Sequence, residues 1–274
     1  MNPVQQINKS AYDSQNVKNN VLSINLRVDG LSFVILEASN IVKAEYYEWQ
    51  NRDWGNAIQK FTEIIQKHSE LKKAFKKVYI FISSQQSTLI PNSFYSENKN
   101  TTVLETLLGI NKNTFRPYSQ QLKNADITLI YPLDLEIEKL INTYFPKAII
   151  NHESASFIDE AIKTASVKEK LYLNIGHQSF ELIATKYSKL IAHNYFDYTT
   201  VDEFMFFLLS FVKQNNIPLK NLQLCISGSI NMDSKIGKNL EKYFPVINKM
   251  SVSPAIDKEQ IFAKLKNYTL VANS

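Results

Sequence analysis

The residues able to do chemistry are few and scattered. Four histidines stand at positions 68, 152, 177 and 193, with no HExxH pair among them. His177 lies in Asn174-Ile-Gly176-His177-Gln178-Ser179, a polar turn between two apolar runs. An imidazole there can exchange protons near neutral pH; the plainer reading is a polar turn residue. His152-Glu153 closes a short apolar run with no nucleophile beside it. Cys225 is the single cysteine, which excludes an internal disulfide and a multi-cysteine zinc site. Set inside Leu222-Gln-Leu-Cys-Ile226, it reads as an inert core thiol. The six glycines (30, 55, 109, 176, 228 and 237) never fall close enough to form GxG. A dinucleotide fingerprint and a Walker A loop, which need several glycines in one turn, are therefore absent. Trp49 and Trp54 bracket a loop, as a recognition patch or as packing under the helix that follows.

The scaffold for these residues is a chain of 274 residues, 44% hydrophobic and 21% charged, a globular composition with ample core. The net charge of +5 and the pI of about 9.0 invite a nucleic-acid reading. Only Arg27, Arg52 and Arg116 are arginine, however, and the abundance of Lys, Asn, Ile and Tyr is what an AT-rich genome produces without functional pressure. Nucleic acid is not an expected partner. The lysines from Lys67 to Lys77 read as the solvated face and end of one helix. Met1–Asn20 has no apolar signal core. The longest apolar stretch, Phe204–Leu209 resuming at Phe211–Val212, is far short of the roughly 20 residues that span a bilayer. A soluble cytoplasmic protein without a membrane span is expected.

The chain says nearly the same thing twice. Residues 21–28, 31–38 and 41–48 read as three strands, with Asp29-Gly30 as a two-residue type I′ hairpin turn. A helix follows, with Ala57, Phe61, Ile64, Ile65 and His68 at helical spacing, then the buried strand Val78–Ile82. From Leu171 the order repeats. Strands at Leu171–Ile175, Phe180–Ala184 and Lys189–Tyr195 precede a helix from about Val201 to Lys213 and the strand Leu222–Ile226. Leu140-Ile-Asn-Thr-Tyr-Phe-Pro146 lines up with Leu240-Glu-Lys-Tyr-Phe-Pro245, each ending a helix begun by an Asp cap, Asp134 or Asp233. Short strands at Ala148–Ile150 and Val246–Ile247 follow, then closing helices at Ser156–Ala165 and Asp257–Lys266. The shared order points to duplication of one α/β unit. The expected boundaries are 1–168 for the first lobe and 169–274 for the second. A subdomain at about 84–133 interrupts the first. It contains a helix with a capping box at Thr102-x-x-Glu105 that ends at Gly109, and a strand at Ile127–Tyr131. The helix from Val201, begun by a capping box at Thr200-x-x-Glu203, is apolar nearly all round and must be covered on nearly all sides. It lies between the sheet and a neighbour, or docks a partner or a second copy.

Two tandem β-β-β-α-β-α-β-α units resemble the superfamily of actin, hexokinase and the heat-shock chaperones, a doubled ribonuclease-H-like fold. An insertion after the first buried strand resembles the bacterial division actin homologue and the actin-like platform protein of type IV pili. His193-Asn-Tyr-Phe-Asp-Tyr198-Thr-Thr-Val-Asp202-Glu-Phe, Leu222-Gln-Leu-Cys-Ile-Ser-Gly228-Ser-Ile and Tyr144-Phe-Pro-Lys-Ala-Ile-Ile-Asn-His152 are similar to an uncharacterised Bacteroidetes family of unknown function with an actin-like ATPase fold. The likeness covers roughly residues 20 to 270.

The resemblance implies a Mg-ATP cleft between the halves, with an Asp on the first strand of each hairpin and a glycine-rich approach to adenosine. Here the two acid positions are Asn25 and Asn174. Gly176 and Ser179 keep the second hairpin's glycine and hydroxyl, and Ser227-Gly228-Ser229 keeps one glycine at the adenosine position. Asp29 is a candidate substitute for the missing acid. An Asn is neutral and offers one carbonyl oxygen where Mg²⁺ favours carboxylates. The missing acids also argue against a ribonuclease-type nuclease, which clusters carboxylates around two metals. The expectation is an actin-like scaffold or adaptor with no catalytic residue, no metal and no required cofactor, acting through protein contacts. Its partner is unidentified and a homodimer is admitted. The alternative is an ATPase switch, with ATP bordered by Asn25, Asn174, Gly176, Ser179, Ser227 and Gly228. Phe94, Tyr95, Leu104, Leu107, Leu108 and Tyr118 in the inserted region are candidate interface anchors.

Overall fold

The computed structural model describes residues 1–8, 12–38, 40–228 and 230–250. The expected helix Asp257–Lys266, and Ser229, lie outside them. The chain opens with strand β1 (Gln5–Asn8), then an antiparallel meander of β2 (Val21–Arg27), β3 (Gly30–Glu37) and β4 (Asn40–Glu48). Helix α1 (Trp54–Lys67) is capped by the Asp53 carboxylate, which accepts from Asn56 N–H. Strand β5 (Lys77–Ser83) returns parallel to β2.

Next come β6 (Thr88–Pro91), α2 (Asn100–Leu108), β7 (Phe115–Gln121) and β8 (Ile127–Asp134), and these strands form a separate sheet in the order β6-β8-β7. Its small core joins Leu104, Ile110 and Ile130, with Tyr95, Leu108 and Phe115 against them. Helix α3 (Leu135–Tyr144), β9 (Ile149–His152) and α4 (Glu153–Lys163) follow. Asp134 caps α3 as expected, accepting from Glu136 and Ile137 N–H.

The second series is β10 (Lys170–Ile175), β11 (Ser179–Lys186), β12 (Lys189–Asp197), α5 (Val201–Gln214), β13 (Gln223–Gly228), α6 (Lys235–Tyr243) and β14 (Val246–Lys249). The larger sheets run β1-β4-β3-β2-β5-β9 and β12-β11-β10-β13-β14. Apart from β1 the two orders are the same. The likeness extends to a bulge: Val42 is the extra residue between the Ile35–Lys43 and Leu36–Ile41 pairs, and Ile191 between the Ala184–Ala192 and Thr185–Leu190 pairs.

The described residues divide into two compact units, 1–122 with 126–156, and 123–125 with 157–250. In the first, alternate residues Leu22, Ile24 and Leu26 of β2 pack with Phe33, Phe61 and Ile65. In the second, Leu171, Leu173 and Ile175 of β10 pack with Phe204, Leu208 and Phe211 of α5 and with Phe244.

Several local expectations are corrected. The first hairpin turns on Val28-Asp29, not Asp29-Gly30, because Gly30 already pairs with Arg27. Neither turn residue has positive φ, so this is not the type I′ turn. Gly30 answers to close packing instead, since a Cβ there would stand 2.7 Å from the Tyr47 carbonyl oxygen. Helix α2 starts at Asn100 with no side-chain cap, because the 3-10 turn Glu97–Lys99 runs straight into it and leaves Thr102 inside the helix. Its end at Gly109 is as expected, with φ of 64°. Ser234, not Asp233, caps α6; the Asp233 N–H is turned toward Asn231 Oδ1 at 3.0 Å. The lysine-rich run is not one helix end: α1 stops at Lys67 and a 3-10 turn takes Ser69–Lys72. Helix α5 is not covered all round, for Phe206 is 66% exposed.

The α5 capping box is present. Thr200 Oγ1 accepts from Glu203 N–H while the Glu203 carboxylate reaches the Thr200 N–H. Thr200→Ala is expected to destabilise the second unit by about 1 kcal/mol, read as a lower urea midpoint at unchanged slope. An unchanged midpoint would contradict the cap.

Candidate functional site

Each unit carries one part of the expected site at the end of its first hairpin. In the first, β2 places Asn25 between Ser32 on β3 and Phe81 on β5. Asn25 is 2% exposed and its Oδ1 has no hydrogen-bond partner among the described residues. Asp29 is also buried, and two guanidinium groups flank it. Arg27 Nε lies 3.2 Å from Oδ1 and Arg52 Nε 3.9 Å from Oδ2. Arg27 donates in addition to Tyr46 Oη at 3.0 Å. The backbone fixes the turn as well, with Trp49 N–H donating to the Asp29 carbonyl at 3.1 Å and Trp49 Nε1 to the Val28 carbonyl at 2.8 Å. Two of the chain's three arginines thus converge on the acid that was the candidate metal ligand. Of the two tryptophan readings, packing holds: Trp49 is in the core and Trp54 lies against it.

In the second unit Asn174, Gly176, Ser179, Ser227 and Gly228 come together where β10 and β13 end and β11 begins. Ser227 Oγ donates to Asn174 Oδ1 at 3.0 Å. Ser179 is buried and accepts from Tyr195 Oη at 2.8 Å. Gly176 N–H donates to the Ser179 carbonyl at 2.6 Å, and a Cβ at Gly176 would stand 2.6 Å from Ser179 Oγ. Gly228 has φ of 86°, and a Cβ there would lie 2.7 Å from Ile175 N and overlap the Ile175 carbonyl oxygen. Glycines and hydroxyls alike are engaged in closing the turn and seating β13 on β10. His177 is exposed at the tip, where Tyr198 Oη reaches its carbonyl at 3.3 Å.

Two polar clusters escaped the sequence reading. On β11 and β12, Glu181 Oε1 and His193 Nε2 are 2.6 Å apart, and both side chains are buried. In the first unit Lys43 Nζ lies 2.5 Å from Glu70 Oε1 and 3.3 Å from Glu45 Oε1, while His68 Nε2 is 3.0 Å from Glu45 Oε2. Tyr47 Oη donates to Glu45. Burial by itself would depress His68, but its hydrogen bonds to Glu45 and Glu70 outweigh that and hold it above 6.5. Its bond to His68, with Lys43 beside it, holds Glu70 down at about 2. The signal that was available is an ionisable residue inside an apolar strand, as at Glu45 and Glu181, which demands a partner.

The remaining candidates resolve locally. Cys225 is buried, and burial pushes its thiol up, away from reactive thiolate. His152 is fully buried against Tyr131, 4.8 Å between ring centres, with Nδ1 accepting from Ser154 N–H. Of the inserted anchors Leu104 is buried, Tyr118 Oη donates to Glu138, and Phe94 and Leu107 stay exposed. Among the described residues no group of three or more His, Cys, Asp or Glu could hold a metal ion, and no helix is long and apolar enough to cross a membrane.

A family model described as "Protein of unknown function (DUF3822)" matches residues 9–247. No curated protein sequence matches the chain. Among solved structures, the chain is similar to a Bacteroides thetaiotaomicron protein "with actin-like ATPase fold and unknown function". The TM-score is 0.77 at 19% identity, over 93% of this chain and 99% of that one. It is also similar to a chain of the "PilM-PilN type IV pilus biogenesis complex", with TM-score 0.60 at 10% identity, over 93% and 97%.

Proposed function

The chain belongs to the family described as protein of unknown function (DUF3822) and has the actin-like fold, and from that premise we propose that it is a non-catalytic scaffold or adaptor acting through protein contacts. In this reading 1–168 and 169–274 are its two lobes and 84–133 its inserted subdomain. One observation carries the proposal: both positions expected to be acidic are asparagine, and the nearest substitute, Asp29, is held by Arg27 and Arg52. The residues do not fit Mg-ATP. Asn174 already accepts a hydrogen bond from Ser227 through its single carbonyl oxygen. Moving the Asp29 carboxylate toward a cation would give up its contacts with both guanidiniums. A type IV pilus biogenesis protein of similar fold, solved in complex, supports work by assembly. The residues at 174, 176, 179, 227 and 228 then serve their own lobe's turn and strand pairing.

The full-length protein is expected to release no phosphate from Mg-ATP above background, and to give no saturable heat with Mg-ATP in calorimetry. Turnover that is lost in Asp29→Asn, with the fold retained, would give the missing role to Asp29 and end the scaffold reading.

A further inference from the structure

The two large sheets differ at one edge. In the six-stranded sheet the outer meander strand β4 is covered by β1, whose Gln5–Asn8 pairs antiparallel with Lys43–Tyr46. Its counterpart β12 has no strand on its outer side among the described residues. Cross-strand pairs fix the equivalence. Asn25 faces Ser32, which faces Tyr46; Asn174 faces Glu181, which faces Tyr195. Ala192–Tyr195 is therefore the stretch that corresponds to the landing site of β1. A bulge blunts an edge against pairing. Yet β1 lies directly beyond the bulged Val42, so the matching bulge at Ile191 spares this stretch too.

Edges are guarded by lysine, proline and inward charge. Ala192-His-Asn-Tyr-Phe196 has no Lys, Arg, Asp, Glu or Pro. It is also complementary to itself. Run antiparallel about Asn194, it sets Ala192 opposite Phe196 and His193 opposite Tyr195, small against large on one face and with no like charges opposed. The same edge continues onto α5. Phe196 stacks on Phe207 at 5.2 Å, and Phe207 meets Phe206 at 5.6 Å, the phenylalanine left 66% exposed on that helix.

We propose that a second copy of this chain docks here, β12 against β12 about a two-fold axis at Asn194, with Phe206 of each copy closing over the joint. A two-fold contact uses one patch on both subunits, so the patch must complement itself. That requirement is what this stretch meets, and it selects a second copy over an unrelated strand. The interface does not rest on the scaffold reading: a monomer would sink it and leave that reading standing, while ATP turnover would do the reverse.

Sedimentation of the full chain at about 100 μM, a concentration that populates a micromolar dimer, is expected to show a dimer. Asn194→Lys and Asn194→Asp, each at an exposed side chain, should be monomeric with unchanged circular dichroism, because each sets a charge against its own copy. Mixed together they should dimerise again. Phe206→Lys should weaken the dimer at least tenfold. A wild-type monomer, a dimer indifferent to Asn194→Lys, or a mixture that stays monomeric would each overturn the proposal. So would a monomer in which an added extended peptide slows amide exchange at Ala192–Phe196, which would assign the edge to another partner.

Discussion

Gly228→Ala is expected to destabilise the second unit by at least about 3 kcal/mol, for two reasons that add. At φ of 86° a residue with a Cβ is strained by the backbone alone. The new Cβ would also overlap the Ile175 carbonyl, and Ile175 pairs with Gly228 at the end of the β10–β13 ladder, so neither strand can retreat without breaking the pairing. Gly109 supplies the comparison. It has φ of 64° with no described residue within 4 Å of the added Cβ, so Gly109→Ala should cost only about 1 kcal/mol. The difference between the two isolates the clash. Both tryptophans lie in the first unit, so urea unfolding followed by circular dichroism over the whole chain, beside tryptophan fluorescence, reports which unit was weakened. A Gly228→Ala protein with an unchanged midpoint would mean that this glycine is not there for backbone seating, and would return it to the adenosine role.

Gly228 also marks where sequence reading stops. The glycine is visible, but a turn glycine and a nucleotide glycine look alike until the opposing carbonyl is placed. Local signals did well where a side chain answers to its own neighbours: the Thr200–Glu203 box, the Asp134 cap and the left-handed Gly109 are all spelled within four residues. They failed by one position where two caps compete, as at Asp233-Ser234, and at the first hairpin, where Trp49 and two arginines hold a turn that Asp-Gly alone does not define. Strand β1 was illegible, because Gln5-Gln-Ile-Asn8 has no apolar alternation and becomes a strand only by pairing with β4. The duplication was legible because the same order of short apolar runs occurs twice, and the strand order repeats with it; the matching bulges were not legible. The site was half legible. The asparagines could be read off, but not that Arg27 and Arg52 close on Asp29, which needs residues from separate segments brought to one turn.

The charged cluster at the end of α1 was hidden for the same reason, and it sets the second large effect. Lys43 and Glu45 come from β4, and His68 and Glu70 from the chain just past α1; all four are mostly buried. Glu70→Gln removes the carboxylate closest to Lys43 and leaves that ammonium and His68 sharing Glu45, at an expected cost of about 3 kcal/mol near pH 6. The pH dependence follows from the directions of the shifts. Glu70 is held at about 2 against 4.5 when unfolded, so its contribution is complete above pH 4.5 and is lost as pH falls toward 2. Glu45, lowered against its burial by His68 and Tyr47, acts in the same sense. His68 is raised above 6.5, so its contribution is complete below pH 6.5 and is lost as pH rises through its folded value. The cluster is therefore most stabilising between pH 4.5 and 6.5. The stability gap between wild type and Glu70→Gln, read by tryptophan fluorescence, should be wide at pH 6 and close toward pH 2. The gap between wild type and His68→Gln should instead narrow above pH 6.5. A Glu70→Gln gap that stays constant down to pH 2 would show that the carboxylate is protonated or unpaired in the folded protein, and that another contact holds Lys43 in the first unit.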